Sequence, residues 1–387
     1  MKPANSVLSG LGTTVFEVMS RLAREHEAVN LGQGFPDDAG PDDVRRAAAE
    51  AVVDGWNQYP PMLGLTELRR AVAEHDRIFY GLEVDPDTEV MVTTGATEAL
   101  AAALLALIEP GDEVVLFEPM YDAYLPMVRR AGGVPKLVSL RPPDWRVTRA
   151  ALAEAVTPRT KAVLLNDPQN PSAKTFAAEE LALIAEAVKD ADAVAICDEV
   201  YEHILFDGRS HIPLMTLPGM RERCLKIGSA GKTFSLTGWK VGYVTAAPEL
   251  IRTVAKAHQF LVFTTPPNLQ TAVAYGLRKD QGFFEALAAD MQRRRDRLAA
   301  GLERLGLSVL DCGGTYFLNI DLAASGIAES DEAFCRRMIT EGGVAAIPVG
   351  GFYAGEGPRT LVRFCFSKQD AVLDAALDRL GRFLGRS

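Results

Sequence analysis

Short apolar runs alternate with longer segments of helical periodicity from about residue 88 onward. The apolar runs occupy residues 89–93, 113–117, 160–165, 193–197 and 224–228, and the clearest helical segments occupy residues 96–108, 121–131 and 177–189. Strands that alternate with helices in this way indicate βαβ units and a mainly parallel sheet that is buried on both faces. The pattern therefore predicts an α/β fold for this part of the chain.

The pattern changes after about residue 277. One long amphipathic segment rich in arginine covers residues 282–305 and predicts a single helix. Residues 315–321 and 361–366 read as strands, and residues 369–384 predict a closing helix. These elements together predict a smaller α+β domain.

A polar or small residue follows several of the predicted strands. These residues are Gly95, Asn166, Asp198 and Ser229. In a parallel α/β sheet, ligands bind beyond the carboxyl ends of the strands. The candidate chemistry of the protein is therefore expected at these positions.

Composition and charge argue against several classes of function. The chain has 387 residues, of which 48% are hydrophobic and 24% are charged, as in ordinary globular proteins. Its net charge of −10 leaves no basic surplus for binding nucleic acid. The longest apolar run, residues 99–108, is too short to cross a membrane, and no apolar segment of a secretion signal follows the N-terminus.

The cysteines and histidines predict neither disulfides nor a metal site. The five cysteines are scattered without a CxxC pair, and the five histidines show no HExxH or comparable spacing. Reduced thiols are typical of a cytoplasmic protein, and that location is our expectation.

Lys232 belongs to the tripeptide GKT at residues 231–233, which suggests a loop that binds nucleotide phosphates. Such a loop requires GxxxxGK[ST], but residue 226 is a lysine instead of the first glycine, and Gly238 argues against a long helix from Lys232. Two alternatives remain: a solvent-exposed lysine, or a partly desolvated lysine that reacts with aldehydes because desolvation lowers the pKa of its amine. The apolar strand and the small residues before Lys232 favour the second.

Other strand ends carry groups that suit a pyridine ring. Asp198 ends a buried strand, and a carboxylate there could keep a ring nitrogen protonated, which makes the ring an electron sink. Tyr201 and Asn170 could each hydrogen-bond a phenolic oxygen on such a ring. Residues 94–100 place backbone N–H groups at a helix N-terminus, which is a ready site for a phosphate ester.

Seven segments, taken in this order, resemble a known family. They are residues 30–37 (NLGQGFPD), 57–59 (NQY), 94–100 (TGATEAL), 198–201 (DEVY), 229–234 (SAGKTF), 237–240 (TGWK) and 363–366 (RFCF). Together they resemble the class I/II aminotransferases of fold-type I, which depend on pyridoxal 5'-phosphate (PLP), and are nearest the kynurenine/glutamine and bacterial methionine aminotransferase branch. The likeness runs from about residue 13 to the C-terminus.

The resemblance implies a fold and an assembly. It implies a large domain with a mainly parallel seven-stranded sheet and a smaller α+β domain. The implied boundaries are an N-terminal arm with part of the small domain at residues 1–40, the large PLP-binding domain at residues 41–277 and the C-terminal small domain at residues 278–387. It also implies a homodimer with shared active sites.

The resemblance also assigns roles to single residues. Lys232 matches the lysine that carries PLP as an imine and later moves the substrate proton, and Asp198 matches the partner of the pyridine nitrogen. Tyr201 and Asn170 match the contacts of the ring's phenolic oxygen, and Tyr121 matches the aromatic residue stacked on the ring. The implied phosphate ligands are Gly95, Ala96, Thr97, Ser229, Lys240 and, from the neighbouring subunit, Tyr59. The implied substrate contacts are Gly34, Asn170, Arg363 and Phe16.

Several of these residues also have an ordinary structural interpretation. Asp198 could cap a following helix, Phe16 could be a core residue, and Lys240 could be exposed to solvent. Arg363 could pair with a surface carboxylate, although a lone arginine in an apolar strand favours a buried anionic partner. Residues 166–174 (NDPQNPSAK) depart from the family pattern, which puts the fit of the substrate in doubt rather than catalysis.

By resemblance, the protein is an aminotransferase that moves an amino group between an L-amino acid and a 2-oxo acid. Phe16, Tyr59 and Thr264 are implied to line the side-chain pocket, and they favour a neutral or aromatic side chain such as that of methionine, glutamine, phenylalanine or kynurenine. The alternatives are a succinyl-diaminopimelate aminotransferase and a cysteine-conjugate β-lyase. A regulator built on the same fold would need a DNA-binding module and a basic surplus, and the chain has neither.

Overall fold

The computed structural model describes residue 2 and residues 4–386, and its largest element is a seven-stranded sheet. The strands of the described chain are β1 (Val29–Asn30), β2 (Val90–Thr93), β3 (Glu113–Glu118), β4 (Val134–Ser139), β5 (Thr160–Asn166), β6 (Val194–Asp198), β7 (Cys224–Ser229), β8 (Gly242–Ala246), β9 (Ser308–Val309), β10 (Phe317–Asp321), β11 (Val344–Ala345), β12 (Ile347–Pro348) and β13 (Leu361–Cys365). The α-helices are α1 (Ser6–Ser9), α2 (Val15–Glu25), α3 (Asp42–Asp54), α4 (Thr66–Tyr80), α5 (Gly95–Leu107), α6 (Tyr124–Arg130), α7 (Arg149–Ala155), α8 (Ala178–Asp190), α9 (Ala230–Thr233), α10 (Pro248–Leu261), α11 (Pro267–Leu277), α12 (Gln281–Arg304), α13 (Asp331–Thr340) and α14 (Asp370–Leu384).

The large sheet has the strand order β2-β8-β7-β6-β5-β3-β4. Strands β3 to β7 pair in parallel, whereas β8 runs antiparallel to both of its neighbours, β7 and β2. The predicted α/β class with a mainly parallel seven-stranded sheet is therefore confirmed. The five strands predicted from apolar runs are all present, within one or two residues at each end.

Two strands of this sheet, β4 and β8, are not among the predicted apolar runs. Strand β4 lies at the edge of the sheet, where most of its side chains are exposed or half-buried, so it lacks a continuous apolar run. Strand β8 is buried, but its five residues include a glycine and a threonine, which weaken its apolar signal.

The apolar runs are continuous because the sheet is buried on both faces. On β3, Val115 and Phe117 pack into one apolar core, whereas Val114 and Leu116 pack into a second core. Successive side chains of a strand point to opposite faces, so a strand between two cores needs apolar residues at every position.

The remaining strands form two smaller sheets. The order β12-β13-β10-β9 is antiparallel throughout, and helices α12 and α14 pack against each other in the same part of the chain. Strands β1 and β11 form a parallel pair, in which Val29 lies opposite Val344. The predicted smaller α+β region and its two long helices are present.

The five cysteines of the chain are free and buried. Among the described residues, no helix combines the length and the apolar character that a membrane crossing requires.

Candidate active site

The carboxyl ends of the parallel strands border a two-lobed cavity. The inner lobe, of about 170 Å³, is lined by residues that include Gly95, Ala96, Thr97, Tyr121, Tyr124, Asn166, Asn170, Asp198, Tyr201, Ser229, Lys232 and Lys240. The outer lobe, of about 380 Å³, is lined by residues that include Phe16, Glu17, Gln33, Gly34, Asp122, Phe317 and Arg363. Tyr121, Asn170, Tyr201 and Lys232 line both lobes. The fold thus brings most of the predicted site residues to one place.

Lys232 lies at the junction of the two lobes, in the four-residue helix α9 that directly follows β7. The helix ends early, and Ser235 and Lys240 adopt left-handed backbone conformations with φ of 55° and 54°. The amine lies 3.4 Å from the Gly34 carbonyl oxygen, to which it donates, and 5.5 Å from the centre of the Tyr201 ring. Burial lowers the pKa of Lys232 to about 8, although Asp198 acts in the opposite direction. No long helix starts at Lys232, as predicted, so the segment lacks the helix that follows a phosphate-binding loop.

Asp198 is buried at the end of β6 and keeps one oxygen without a partner. Its Oδ2 accepts a hydrogen bond of 2.5 Å from the Tyr124 hydroxyl, whereas Oδ1 has no hydrogen-bond partner in the described chain. Burial raises the pKa of Asp198 to about 6, and the bond from Tyr124 opposes this rise. The interpretation of Asp198 as a helix cap is wrong, because a turn rather than a helix follows β6.

Arg363 is buried on β13 with neutral partners. Its Nη1 donates to Asn170 Oδ1 at 2.6 Å and its Nη2 donates to the Gly32 carbonyl at 3.1 Å, whereas its Nε has no partner. The guanidinium lies 3.8 Å from the centre of the Phe317 ring. Burial lowers the pKa of Arg363 to about 10. No carboxylate of the described residues forms a salt bridge with Arg363. The described chain therefore supplies neither the surface carboxylate nor the buried anionic partner that the sequence suggested.

Asn170 links the two lobes through its side-chain and backbone bonds. Its amide oxygen accepts from Arg363, which leaves the amide nitrogen as the group available to donate. Its backbone N–H donates to Asn166 Oδ1 at 2.8 Å, and Asn166 Nδ2 donates to the Asp198 carbonyl at 2.9 Å. Asn166 therefore connects the two strand ends that carry Asn170 and Asp198.

The far end of the inner lobe has the features of an anion site. Helix α5 begins at Gly95, so the backbone N–H groups of its first turn, including those of Ala96 and Thr97, have no partner within the helix. Gly95 has a φ of 75°, and a Cβ there would lie 3.2 Å from Lys240 Cε. Ser229 and Lys240 line the same lobe, and the Lys240 side chain is exposed, as its structural alternative predicts.

The other predicted substrate contacts differ in position. Gly34 lies against Phe317, because a Cβ on Gly34 would meet the ring at 2.6 Å. Phe16 lines the outer lobe and also packs edge-on against Phe352, so its pocket and core interpretations both hold. Tyr59 is 80% exposed, and neither it nor Thr264 is among the residues that line the cavity in the described chain.

The family model described as aminotransferase class I and II matches residues 26–380. The chain belongs to this aminotransferase family. It is an enzyme of the transaminase type, and the resemblance seen in its motifs is confirmed.

Three relatives of this aminotransferase are similar over almost their whole length. It is 47% identical over 386 residues to the probable N-succinyldiaminopimelate aminotransferase DapC of Mycobacterium tuberculosis, covering 97% of each chain. It is 42% identical over 375 residues to the methionine aminotransferase of Escherichia coli, again covering 97% of each. It is 38% identical over 409 residues to kynurenine–oxoglutarate transaminase 1 of Homo sapiens, with 97% of each covered. The solved structure of N-succinyldiaminopimelate aminotransferase from M. tuberculosis matches it with a TM-score of 0.95 at 46% identity, covering 98% of this chain and 100% of that one.

Sequence reasoning missed two tyrosines of this aminotransferase site. Tyr124 donates to Asp198, and Tyr316 donates through its hydroxyl to the backbone carbonyl of Lys232. Tyr124 follows Tyr121 by three residues and begins α6, and this closeness in sequence is the only signal that could have indicated it. Tyr316 lies far from Lys232 in sequence, so no local pattern points to their contact.

Two histidines and a glutamate cluster outside the cavity lining of this aminotransferase. The fold brings ligand atoms of His75, Glu202 and His203 within 4.8 Å of one another, although their spacing in sequence is not that of a metal site. Glu202 already accepts hydrogen bonds of 2.7 Å from the Lys226 ammonium and the Tyr80 hydroxyl. A metal ion would have to compete with that ammonium for the carboxylate, so the absence of a bound metal stays our prediction.

Proposed function

We propose that this aminotransferase binds PLP through Lys232 and exchanges the amino group of a neutral or aromatic L-amino acid with a 2-oxo acid. The observation that carries the proposal is the unpartnered Oδ1 of buried Asp198, which shares a lobe with the Lys232 amine. A buried carboxylate oxygen without a partner is costly unless a ligand supplies one. A protonated pyridine nitrogen is such a ligand.

The residues present fit PLP at both ends of the inner lobe. Asp198 would hold the ring nitrogen, and the amide nitrogen of Asn170 and the hydroxyl of Tyr201 are available for the phenolic oxygen. Tyr121, half-buried on the wall of the lobe, would stack on the ring. The phosphate would bind at the helix N-terminus through Gly95, Ala96 and Thr97, with Ser229 and Lys240 beside it.

The chain's own residues divide the work of transamination. When bound, PLP supplies an electron-poor ring that takes up the electron pair left at the substrate Cα. Arg363 would bind the substrate carboxylate through the donors that lack an anionic partner, with Gly34 beside it. Lys232 Nζ would then remove the Cα proton, because its lowered pKa of about 8 makes the neutral amine accessible near neutral pH. Asp198 would keep the ring nitrogen protonated.

The charges of the outer lobe support a substrate without a second negative charge. The cations that this chain contributes to the lobe are Lys232 and Arg363, and both have roles at the reacting end of the substrate. Beyond them the lining includes the carboxylates of Glu17 and Asp122. These carboxylates would repel a second negative charge on the substrate. They would not repel a neutral or aromatic side chain, as in methionine, glutamine, phenylalanine or kynurenine. The E. coli and human relatives are named for methionine and kynurenine, which have side chains of this kind.

A second candidate is succinyl-diaminopimelate transamination. It is favoured by the name of the M. tuberculosis relative at 47% identity. That substrate carries further carboxylates, for which the described chain contributes no cation to the outer lobe beyond Lys232 and Arg363. A cysteine-conjugate β-lyase would use the same residues up to the loss of the Cα proton, so it remains the third candidate.

We further infer a homodimer in which Tyr59 reaches the phosphate site of the neighbouring subunit. Tyr59 is 80% exposed and lies outside the cavity lining of its own chain. Two large apolar side chains near Tyr59 are also exposed. Trp56, three residues earlier in the sequence, is 70% exposed, and Phe263, against which Tyr59 packs edge-on, is 39% exposed. An exposed apolar surface of this kind is typical of a protein interface.

The division into an N-terminal arm at residues 1–40, a large domain at residues 41–277 and a small domain at residues 278–387 is part of the same proposal. It is supported by the pairing of β1 with β11, which joins the N-terminal arm to the C-terminal region. A cytoplasmic location is supported by the five free cysteines.

The test of the proposal is chemical and uses the purified protein. We expect a yellow protein whose visible absorbance is lost on borohydride reduction, with a pyridoxyl adduct on Lys232 found by peptide mass spectrometry. A panel of amino donors and 2-oxo acids should give the highest kcat/KM with neutral or aromatic donors. A preference for succinyl-diaminopimelate would replace the first candidate with the second, and an adduct on another lysine would contradict the assigned site.

The dimer has its own test. Tyr59→Ala and Lys232→Ala variants should each be impaired as homodimers, and mixed dimers should regain part of the activity because one of the two sites is then intact. Mixed dimers that form without any recovery would contradict the role of Tyr59.

A further inference from the structure

The carbonyl of Lys232 lies at the end of a helix too short to satisfy it. In α9, the N–H of Phe234 donates to Ala230 and that of Leu236 donates to Gly231, while Ser235 has turned into the left-handed region. The last carbonyls of any helix have no partner within it and need a donor from elsewhere. The hydroxyl of Tyr316 donates to the Lys232 carbonyl and supplies that donor.

The residue next to Tyr316 supports the other charged group of the site. Phe317 begins β10, and its ring lies 3.8 Å from the Arg363 guanidinium. Strands β10 and β13 are paired in register, with Asn319 opposite Arg363. Two adjacent residues, at the start of one strand, therefore contact both Lys232 and Arg363. Both are buried, with Tyr316 0% and Phe317 1% exposed, so neither can shift easily.

We propose that Tyr316 is a positioning residue for Lys232, and that Tyr316 and Phe317 together set the distance between the Lys232 amine and the Arg363 guanidinium. This inference rests on the proposed function, because that distance matters only if Arg363 binds the carboxylate of the substrate whose Cα proton Lys232 moves. It adds a residue to the reaction that sequence motifs around Lys232 do not contain.

The surroundings of the Lys232 amine give the proposal a second readout. The charged and titratable groups that act on the amine are Asp198, Cys365, Arg363 and Lys240, and the rings of Tyr201 and Tyr316 lie at 5.5 and 5.8 Å. Burial is the main cause of the lowered pKa of this amine. If the backbone of Lys232 loosens, water reaches the nitrogen, and the pKa rises towards its ordinary value.

The experiment compares Tyr316→Phe with a matched control in the holoenzyme. Tyr353→Phe also removes a buried hydroxyl that donates to a backbone carbonyl, that of Leu140 at 2.8 Å, but Tyr353 does not line the cavity. For Tyr316→Phe we expect kcat to fall about 10- to 100-fold with little change in KM, since a small misplacement of a reacting group costs this much. We also expect the pH midpoint of the bound cofactor's visible absorbance, which reports protonation of the Lys232 nitrogen in its imine, to rise by about half a unit or more, because added water favours the charged form of that nitrogen as it does that of the amine. Tyr353→Phe should lower thermal stability similarly and change neither quantity.

A second pair of variants covers the case in which Tyr316→Phe fails to fold. Tyr316→4-aminophenylalanine keeps a donor, and Tyr316→4-fluorophenylalanine has nearly the same shape without one. The first should retain the wild-type pH midpoint and kcat. The second should show the raised midpoint and the lowered kcat expected for Tyr316→Phe.

The outcomes separate the two proposals. If the wild-type protein has neither visible absorbance nor transaminase activity, the proposed function fails. If the wild type is active and Tyr316→Phe matches Tyr353→Phe in kcat and midpoint, the proposed function stands and the positioning role of Tyr316 is overturned.

Discussion

Two lysines on either side of the end of β7, Lys226 and Lys232, lie in opposite electrostatic surroundings. Burial alone would lower the pKa of Lys226, but Asp76 and Glu202 outweigh it and raise this pKa well above its ordinary value. The Lys226 ammonium lies 2.7 Å from Glu202 Oε2 and 3.1 Å from Asp76 Oδ1. Lys232 has no carboxylate within salt-bridge distance in the described chain, and burial lowers its pKa to about 8. Contact with a carboxylate, rather than burial, decides whether the lysine keeps its charge.

The two regions also differ in how their carboxylates are used. Around Lys226, Glu202 accepts from Lys226, Tyr80 and Tyr243, and Asp76 Oδ2 accepts from Thr245. In the cavity, Asp198 Oδ1 and Arg363 Nε have no partners among the residues that the structure describes. The first region balances the charge of its lysine within the chain, although Asp76 Oδ1 meets the ammonium only as an ion pair at 3.1 Å and accepts no hydrogen bond. The second leaves polar atoms for a ligand to complete.

The largest difference between the regions is expected for Lys232→Ala. Transaminase activity should fall by about 10⁴-fold or more, because both proton transfer and attachment of the cofactor are lost. Thermal unfolding of the cofactor-free protein should not shift downward. The pKa of Lys232 is lowered in the folded state from 10.5 to about 8, so its ammonium form costs stability that builds up as the pH falls below 10.5 and is complete below about pH 8, and its removal relieves that cost. A variant with substantial turnover would contradict the catalytic role.

Arg363→Ala removes the guanidinium that the cavity leaves without an anionic partner. Loss of one member of a buried charged pair costs about 2–5 kcal/mol, so kcat/KM for amino acids should fall about 30- to several-thousand-fold, mainly through KM. Steady-state kinetics with amines that lack the α-carboxylate provide the control, because these amines should lose little. An equal loss for both kinds of substrate would make Arg363 structural, like Lys226.

Lys226→Met should lower the stability of the protein, whereas Lys232→Ala should lower its activity. It leaves Asp76 and Glu202 buried without their cation, and breaking such a pair costs about 3–5 kcal/mol of unfolding free energy. Chemical denaturation measures this loss, and kcat of the folded protein should change far less. The triple variant Lys226→Met, Asp76→Asn and Glu202→Gln should recover most of the stability. A triple variant as unstable as the single one would show that the ion pairs are not the cause.

The smallest effect concerns how the two lysines titrate. In cofactor-free protein, labelling with acetic anhydride requires a neutral amine, so Lys232 should be labelled half-maximally near pH 8 while buried Lys226 stays unlabelled. Asp198 raises the pKa of Lys232 through its negative charge. Asp198→Asn should therefore move the Lys232 midpoint to lower pH, as measured by peptide mass spectrometry. A midpoint near that of an exposed lysine would remove the contrast between the two regions.

Much of the large sheet and of the site could be predicted from the sequence because the signals are local. A strand with cores on both faces must be apolar at every position, which marks β5 and β6 directly. The ends of such strands collect ligands, so the positions of Asp198 and Lys232 along the chain make them candidates, and the resemblance of the surrounding motifs assigns their roles. Edge strand β4 gives no such signal because solvent covers part of it.

The surroundings of Tyr316 and Lys226 were decided by tertiary structure alone. Tyr316 and Lys232 are joined by one hydrogen bond between residues far apart in sequence, and no periodicity records such a contact. Lys226 lies within the apolar strand β7 and Lys232 shortly after it, and the approach of Asp76 from α4 and of Glu202 beyond β6 gives them opposite charge surroundings. A pKa depends on charges within a few ångströms in space, whereas a sequence pattern orders residues along the chain. The residues proposed for the chemistry were therefore visible in the sequence, and the charge state of each one was set by the fold.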